Sequence, residues 1–207
     1  MILMAFDPSM SCTGVAVIRD GERANAPKFD NYRESGTLIQ AMTITPDGST
    51  KDYAARLTSL FMQCRALLDE FTPSVVVVEL PSTHAPSQAR GMQRVGQPIY
   101  GAAVGAVISA AACPANLQTC ERITPPRVLA YPPDVWTRSL PPLARRTRED
   151  KYKTERVKLA AAMYLRSPEE FGAKSNAGDV ADAVLLAEYG LREVKRGELE
   201  SKWRMLA

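Results

Sequence analysis

Four carboxylates stand where a folded α/β chain would gather them. Asp7 closes the apolar opening run Met1-Ile-Leu-Met-Ala-Phe6, and Glu79 closes the run Val75-Val-Val-Val78. Asp179 and Asp182 lie three apart in Gly178-Asp-Val-Ala-Asp-Ala183, at the head of an apolar segment. The first two are acids at the ends of buried strands, and the last two share one helix face. Such a cluster is costly unless a cation neutralises it, and an all-oxygen donor set suits Mg2+ or Mn2+. The chemistry these residues imply is that of a metal-dependent nuclease.

Each acid also has an ordinary reading. Asp7 precedes Pro8, and Asp-Pro opens turns. Asp179 suits the first turn of a helix, where the dipole favours an acid. Glu79 after four valines resists such a reading, because glutamate is rarely buried without a partner. Asp182 resists it too, with Ala181, Ala183, Val184 and Leu185 around it.

The elements that must position these acids follow from hydropathy and breakers. Met1 to Asp7 reads as a buried strand, residues 8–14 as a turn, and Val15 to Arg19 as a second strand. Residues 20–33 are polar and read as a long loop, and Gly36 to Thr45 as a third strand ending at Pro46-Asp47-Gly48. Ser49 or Thr50 is the expected cap of a helix whose apolar residues run from Tyr53 to Phe71, before Pro73 breaks it. Val75 to Val78 is a buried strand, and residues 81–86 are a loop. A helix is expected within Ser87 to Ala112, with Pro98 starting its main part or kinking it. Val128 to Tyr131 is a short strand, Pro132-Pro133-Asp134 a helical opening, and residues 139–150 a Pro- and Arg-rich loop. Helices are predicted for Lys151 to Leu165 and Val180 to Val194, with a charged tail from Lys195. Strands followed by alternating helices and strands give an α/β chain with a mixed sheet covered on both faces.

The bulk numbers set bounds. A chain of 207 residues suits one domain, 1–207, with a sizeable core. The net charge is only +3, yet residues 143–158 carry seven Lys/Arg against three acids, so the positive charge is concentrated in one segment. That segment is the natural place for phosphate contacts. Cys12, Cys64, Cys113 and Cys120 form no C-x-x-C pair, and His84 is the sole histidine, which argues against zinc and for free thiols in a reducing cytosol. No signal peptide is read at the N-terminus, and Ile99 to Cys113 is too short to span a membrane comfortably. Cys12 and Cys64 are expected in the core, while Trp136 and Trp203 are open between core and interface.

The order of elements and acids together resembles the RuvC family of Holliday-junction resolvases, within the ribonuclease H-like superfamily. Phe6-Asp7-Pro8-Ser9 through Thr13-Gly14 looks like the family's first strand and turn, and Val78-Glu79 like its second acidic motif. Val95-Gly96-Gln97 looks like the start of its central helix, and Asp179-Val-Ala-Asp182-Ala183 like its last motif. Lys153 falls near its basic catalytic-loop position. The resemblance spans residues 1 to about 190. The loop at 20–33, Pro98 after Gln97 and the segment 81–94 depart from the compact bacterial pattern and point toward a phage-type relative.

The resemblance implies a ribonuclease H-like mixed five-stranded sheet with helices on both faces. It implies that Asp7, Glu79, Asp179 and Asp182 hold two Mg2+ ions, with Mn2+ able to substitute, about 3.5–4 Å apart. Lys153 would stabilise the pentavalent phosphate. The implied reaction is in-line hydrolysis of branched DNA by paired nicks, leaving a 5′-phosphate and a 3′-hydroxyl. Arg90, Arg94, Arg145, Arg146, Arg148, Lys151 and Lys153 are the expected DNA contacts. A cytoplasmic homodimer is implied, built about the central helix with its small residues Gly101, Ala102, Gly105, Ala106 and Ser109, so that two sites meet two strands of a four-way junction. Three competing readings remain at this point. They are a non-catalytic binder of branched DNA, a ribonuclease H-type enzyme cutting hybrids, and an actin-like or sugar-kinase-like ATPase. The last usually needs a second domain beyond its two phosphate-binding turns, for which a chain of 207 residues is too short.

Overall fold

The computed structural model describes residues 1–21, 36–47, 52–81, 96–113, 124–145, 151–164, 166–172 and 176–206, with backbone alone for 96–98, 151 and 198–206. The expectations for residues 22–33, for His84, Arg90, Arg94, Cys120, Arg146 and Arg148, and for the side chains of Lys151 and Trp203 lie outside the described residues.

Five strands form one sheet: β1 (Ile2–Asp7), β2 (Thr13–Arg19), β3 (Thr37–Ile44), β4 (Val75–Glu79) and β5 (Arg127–Tyr131). Their order is β3-β2-β1-β4-β5. The first three form an antiparallel meander, while β4 runs parallel to β1, and β5 parallel to β4. This is the mixed sheet that the sequence predicts. The parallel half needs crossovers, and these are supplied by α1 (Tyr53–Phe71) and α2 (Gly96–Ala112).

Alternation along the central strands divides two cores. Met4 and Phe6 of β1, Val15 and Val17 of β2, and Val76 and Val78 of β4 face α1 and α2. Leu3, Ala5, Ala16, Ile18, Val75 and Val77 face the other side, against α4 (Lys151–Tyr164), α5 (Ala177–Leu206) and the short α3 (Pro133–Trp136). Because both faces are covered, the central strands are apolar throughout rather than alternating.

Several local details differ from the sequence reading. The cap of α1 is Asp52, whose Oδ1 accepts from the Ala55 N–H at 2.9 Å, while Ser49 and Thr50 lie outside the described residues. Thr72 ends α1 in the left-handed region at φ 41°, one residue ahead of Pro73. Pro98 is the third residue of α2, in the first turn, where its missing N–H costs nothing. The segment 139–150 is not all loop, since 3-10 turns occupy Thr137–Ser139 and Pro142–Ala144. The last helix neither starts at Val180 nor stops at Val194; it runs from Ala177 to Leu206, through Gly197 and the charged tail. Cys12 and Cys64 are buried and unpaired, and Trp136 is fully buried in the core. Among the described residues, no helix is long and apolar enough to cross a membrane.

Candidate active site

Strand parity aims two of the acids at the same side. Asp7 shares its parity with Leu3 and Ala5, and Glu79 with Val75 and Val77, so both leave the sheet on the α5 face. Phe6 pairs with Val78 in the parallel ladder, which sets Asp7 and Glu79 side by side at the carboxyl ends of adjacent strands. In open α/β sheets that end is where ligands are bound.

The other two acids arrive with α5, and a glycine allows their approach. Gly14 pairs with Asp7 across the β1–β2 ladder. A Cβ at Gly14 would lie 2.1 Å from the Asp179 carbonyl oxygen, so only a glycine lets α5's first turn rest against the strand there. Farther along, a Cβ at Gly190 would lie 2.5 Å from Val77 Cγ2, so α5 lies equally close to β4. These two contacts seat the helix so that Asp179 and Asp182 stand over Asp7 and Glu79.

The electrostatics record the convergence. Burial, then the charges of Glu79, Asp182 and Asp179, hold the Asp7 carboxyl well above the usual carboxylate range, with Lys153 opposing them. Burial also raises the Asp182 carboxyl, against the lowering pull of the Arg156 charge and hydrogen bonds. Burial tends to lower the Lys153 ammonium, but its hydrogen bond to Asp179 and the charges of Asp179 and Asp182 outweigh that and leave it raised.

Each acid has a distinct setting. Lys153 Nζ donates to Asp179 Oδ1 at 3.0 Å. Arg156 Nη1 donates to both oxygens of Asp182 at 2.8 Å, in a buried pair. Trp136 Nε1 donates to Glu79 Oε2 at 2.9 Å, and the Tyr100 hydroxyl reaches Glu79 Oε1 at 3.5 Å. Burial, followed by the charges of Glu79 and Asp7, keeps the Tyr100 phenol protonated far above its ordinary range.

All four predicted acids and Lys153 therefore gather at one place. Among the described residues, however, no three acidic, histidine or cysteine side chains converge as a ready coordination shell. Two of the acids turn instead toward Lys153 and Arg156. The donor chemistry still fits a hard divalent cation. The set is all oxygen, and a cation there would offset the burial and mutual repulsion that raise Asp7. Asp7, Glu79 and Asp179 would hold it, because Lys153 is half-exposed and free to release Asp179.

Sequence reasoning overlooked Arg156, Trp136 and Tyr100 as parts of this site. A signal existed for the first. Arg156 opens the buried stripe of α4 that continues through Ala160 and Met163, and a charge on an apolar stripe demands a partner. Of the other expected DNA contacts, Arg145 is exposed just outside the site, with its Nε donating to the Leu140 carbonyl at 2.8 Å. A cavity of about 550 Å3 opens beside Lys153 and is lined also by Lys158, Val157 and Gly178.

No protein-family model matches the sequence, and no curated protein matches it. Solved structures do match. The RuvC of Thermus thermophilus, in complex with a Holliday-junction substrate, aligns over 95% of this chain and 97% of its own, with a TM-score of 0.62 and 18% identity. The yeast mitochondrial Holliday-junction resolvase Ydc2 aligns over 90% of this chain and 76% of its own, with a TM-score of 0.51 and 13% identity. The fowlpox virus resolvase, in complex with Holliday-junction DNA, aligns over 94% and 99%, with a TM-score of 0.50 and 11% identity. The chain shares the fold of these resolvases, a mixed five-stranded sheet with helices on both faces.

Proposed function

We propose that this chain is a metal-dependent endonuclease that resolves four-way DNA junctions by paired nicks. The observation that carries the reading is the placement of Asp7, Glu79, Asp179 and Asp182. Two strand ends and one helix bring them together on one face of a resolvase-type fold, and burial with mutual repulsion raises the Asp7 carboxyl. A purely architectural DNA binder has no need of that arrangement.

The cation is Mg2+, with Mn2+ as a substitute. When bound, it supplies a water of lowered pKa and stabilises charge on the leaving 3′ oxygen. The protein's own groups do the rest. Trp136 and Tyr100 orient Glu79 through its two oxygens. Asp7, Glu79 and Asp179 would hold the cation, and Lys153, half-exposed beside Asp179, would supply its ammonium to the phosphate undergoing attack. Arg145 and the basic segment around it draw in the backbone phosphates, so affinity falls as salt rises. Selection of a branched substrate comes from shape rather than base edges. The active species is a homodimer. The exposed side of α2 carries Gly101, Gly105 and Ser109, and a Cβ at either glycine meets nothing within 4 Å, so a second helix can approach that side closely.

The test is cleavage of a labelled mobile four-way junction with Mg2+, comparing wild type and Asp182→Asn, with linear duplex and an RNA–DNA hybrid as controls. Symmetric paired nicks, lost in the variant while junction binding persists, are expected. Binding without cutting in Mg2+ and Mn2+ would leave a DNA-architecture protein. Cleavage of the hybrid alone would make it a ribonuclease H-type enzyme. A monomer mass by light scattering at micromolar concentration would refute the dimer.

A further inference from the structure

Four carboxylates could serve two divalent ions, but two of them face cations of the protein, Asp179 the half-exposed Lys153 and Asp182 the buried Arg156. Arg156 Nη1 lies 2.8 Å from both oxygens of Asp182, across the edge that a bidentate ion would occupy. The guanidinium is held through two of its nitrogens and against two aromatic rings. Its Nε donates to the Ala144 carbonyl at 2.8 Å, and its plane lies against Trp136 at 5.0 Å and Tyr152 at 4.8 Å. Its side chain is only 4% exposed, whereas that of Lys153 is 50% exposed. Lys153 can therefore swing into solvent and surrender Asp179. Arg156 has no solvent to enter, and losing Asp182 would leave a buried charge without its counter-ion.

The guanidinium is also joined to the rest of the site. The Trp136 ring beneath it donates through Nε1 to Glu79, so one chain of contacts runs from Glu79 through Trp136 and Arg156 to Asp182. Arg156 Nη2 is buried and has no hydrogen-bond partner among the described residues, so its donors are unused. A guanidinium does not deprotonate at any working pH, which makes the charge permanent.

We infer that Arg156 stands in for the second metal ion: the site takes one divalent cation, on Asp7, Glu79 and Asp179, and Arg156 supplies the fixed positive charge at Asp182. This rests on the metal-nuclease reading above and deepens it. Arg156 is in this account a positioning residue. It orients Asp182 through both carboxylate oxygens and would supply a fixed positive charge there in place of an ion.

The experiment is a count of bound Mn2+ by calorimetry and by electron paramagnetic resonance, on wild type, Arg156→Gln and Arg156→Lys, without DNA. Wild type should bind one ion per chain in the micromolar-to-millimolar range. Arg156→Gln should open a second site and bind two, and Arg156→Lys, which keeps a cation on Asp182, should bind one. Two ions of similar affinity in wild type would overturn the inference, and so would a folded Arg156→Gln that still binds one. Should Arg156→Gln fail to fold, the wild-type count together with Arg156→Lys still decides. Cleavage of a junction by a wild type holding two ions would sink this inference and leave the nuclease reading intact. No bound ion and no cleavage would sink both.

Discussion

Gly14→Ala is the substitution by which the structure predicts a large functional effect from one methyl group. The added Cβ would sit 2.1 Å from the Asp179 carbonyl oxygen, 2.6 Å from its carbonyl carbon and 3.2 Å from Val180 N. All three are backbone atoms, so no rotamer change relieves the clash. Ordinary contact lies between 3.4 and 4 Å, so strand and helix must part by more than 1 Å. Overpacking of this severity belongs at the upper end of the usual range, about 3 kcal/mol, or roughly 6–12 °C in Tm for a chain of this length. The displaced group is the turn that carries Asp179 and leads into Asp182, so the acids separate from Asp7 by a similar distance. A misplacement of that size typically lowers rate about 100-fold. Gly21→Ala is the control, since a Cβ there meets nothing within 4 Å. It should remain within about 0.5 kcal/mol of wild type. The assays are thermal unfolding and single-turnover junction cleavage with Mg2+. A Gly14→Ala protein with wild-type Tm and wild-type rate would show that the strand–helix approach does not set the site.

Two further predictions concern titration. Asp7→Asn should raise the Tm of metal-free protein at about pH 8, by roughly 3–6 °C for each unit by which the Asp7 carboxyl is elevated. A raised acid contributes stability that is present below its ordinary range and lost as pH climbs through the elevated value, so the gap should close at about pH 4 and below. A constant gap from acid to alkaline pH, measured by calorimetry in EDTA, would refute the assignment. Cys64 is fully buried, and burial pushes its thiol up to about 12. It should stay unlabelled by a thiol-reactive disulfide at about pH 8 and label fully in guanidinium; peptide mapping that finds native Cys64 modified would contradict its place in the core.

The legible part of this molecule was the part written in short range. Runs such as Met1–Phe6 and Val75–Val78 give buried strands directly, and an acid at the end of each is visible without a structure. Asp179 and Asp182 are legible because a three-residue spacing on a helix has only one geometric meaning. The cap of α1 was misread because Ser49, Thr50 and Asp52 are all competent caps, and only the chain path into Tyr53 distinguishes them. The end of α5 was misread because charge composition alone does not stop a helix.

Arg156 was hidden for a deeper reason. It lies among seven basic residues between 143 and 158, a run that reads as a solvated, phosphate-facing surface. Position within α4 separates it from its neighbours. Lys153 and Lys158 turn outward, while Arg156 shares the buried stripe with Ala160 and Met163. Which stripe of α4 is buried depends on where α5 packs, and that depends on the missing Cβ atoms at Gly14 and Gly190. The cation at Asp182 is thus fixed by contacts spread over most of the chain, from residue 14 to residue 190. A basic run seen in sequence combines two kinds of residue with different surroundings: those exposed at the surface, such as Lys153 and Lys158, and Arg156, buried against Asp182.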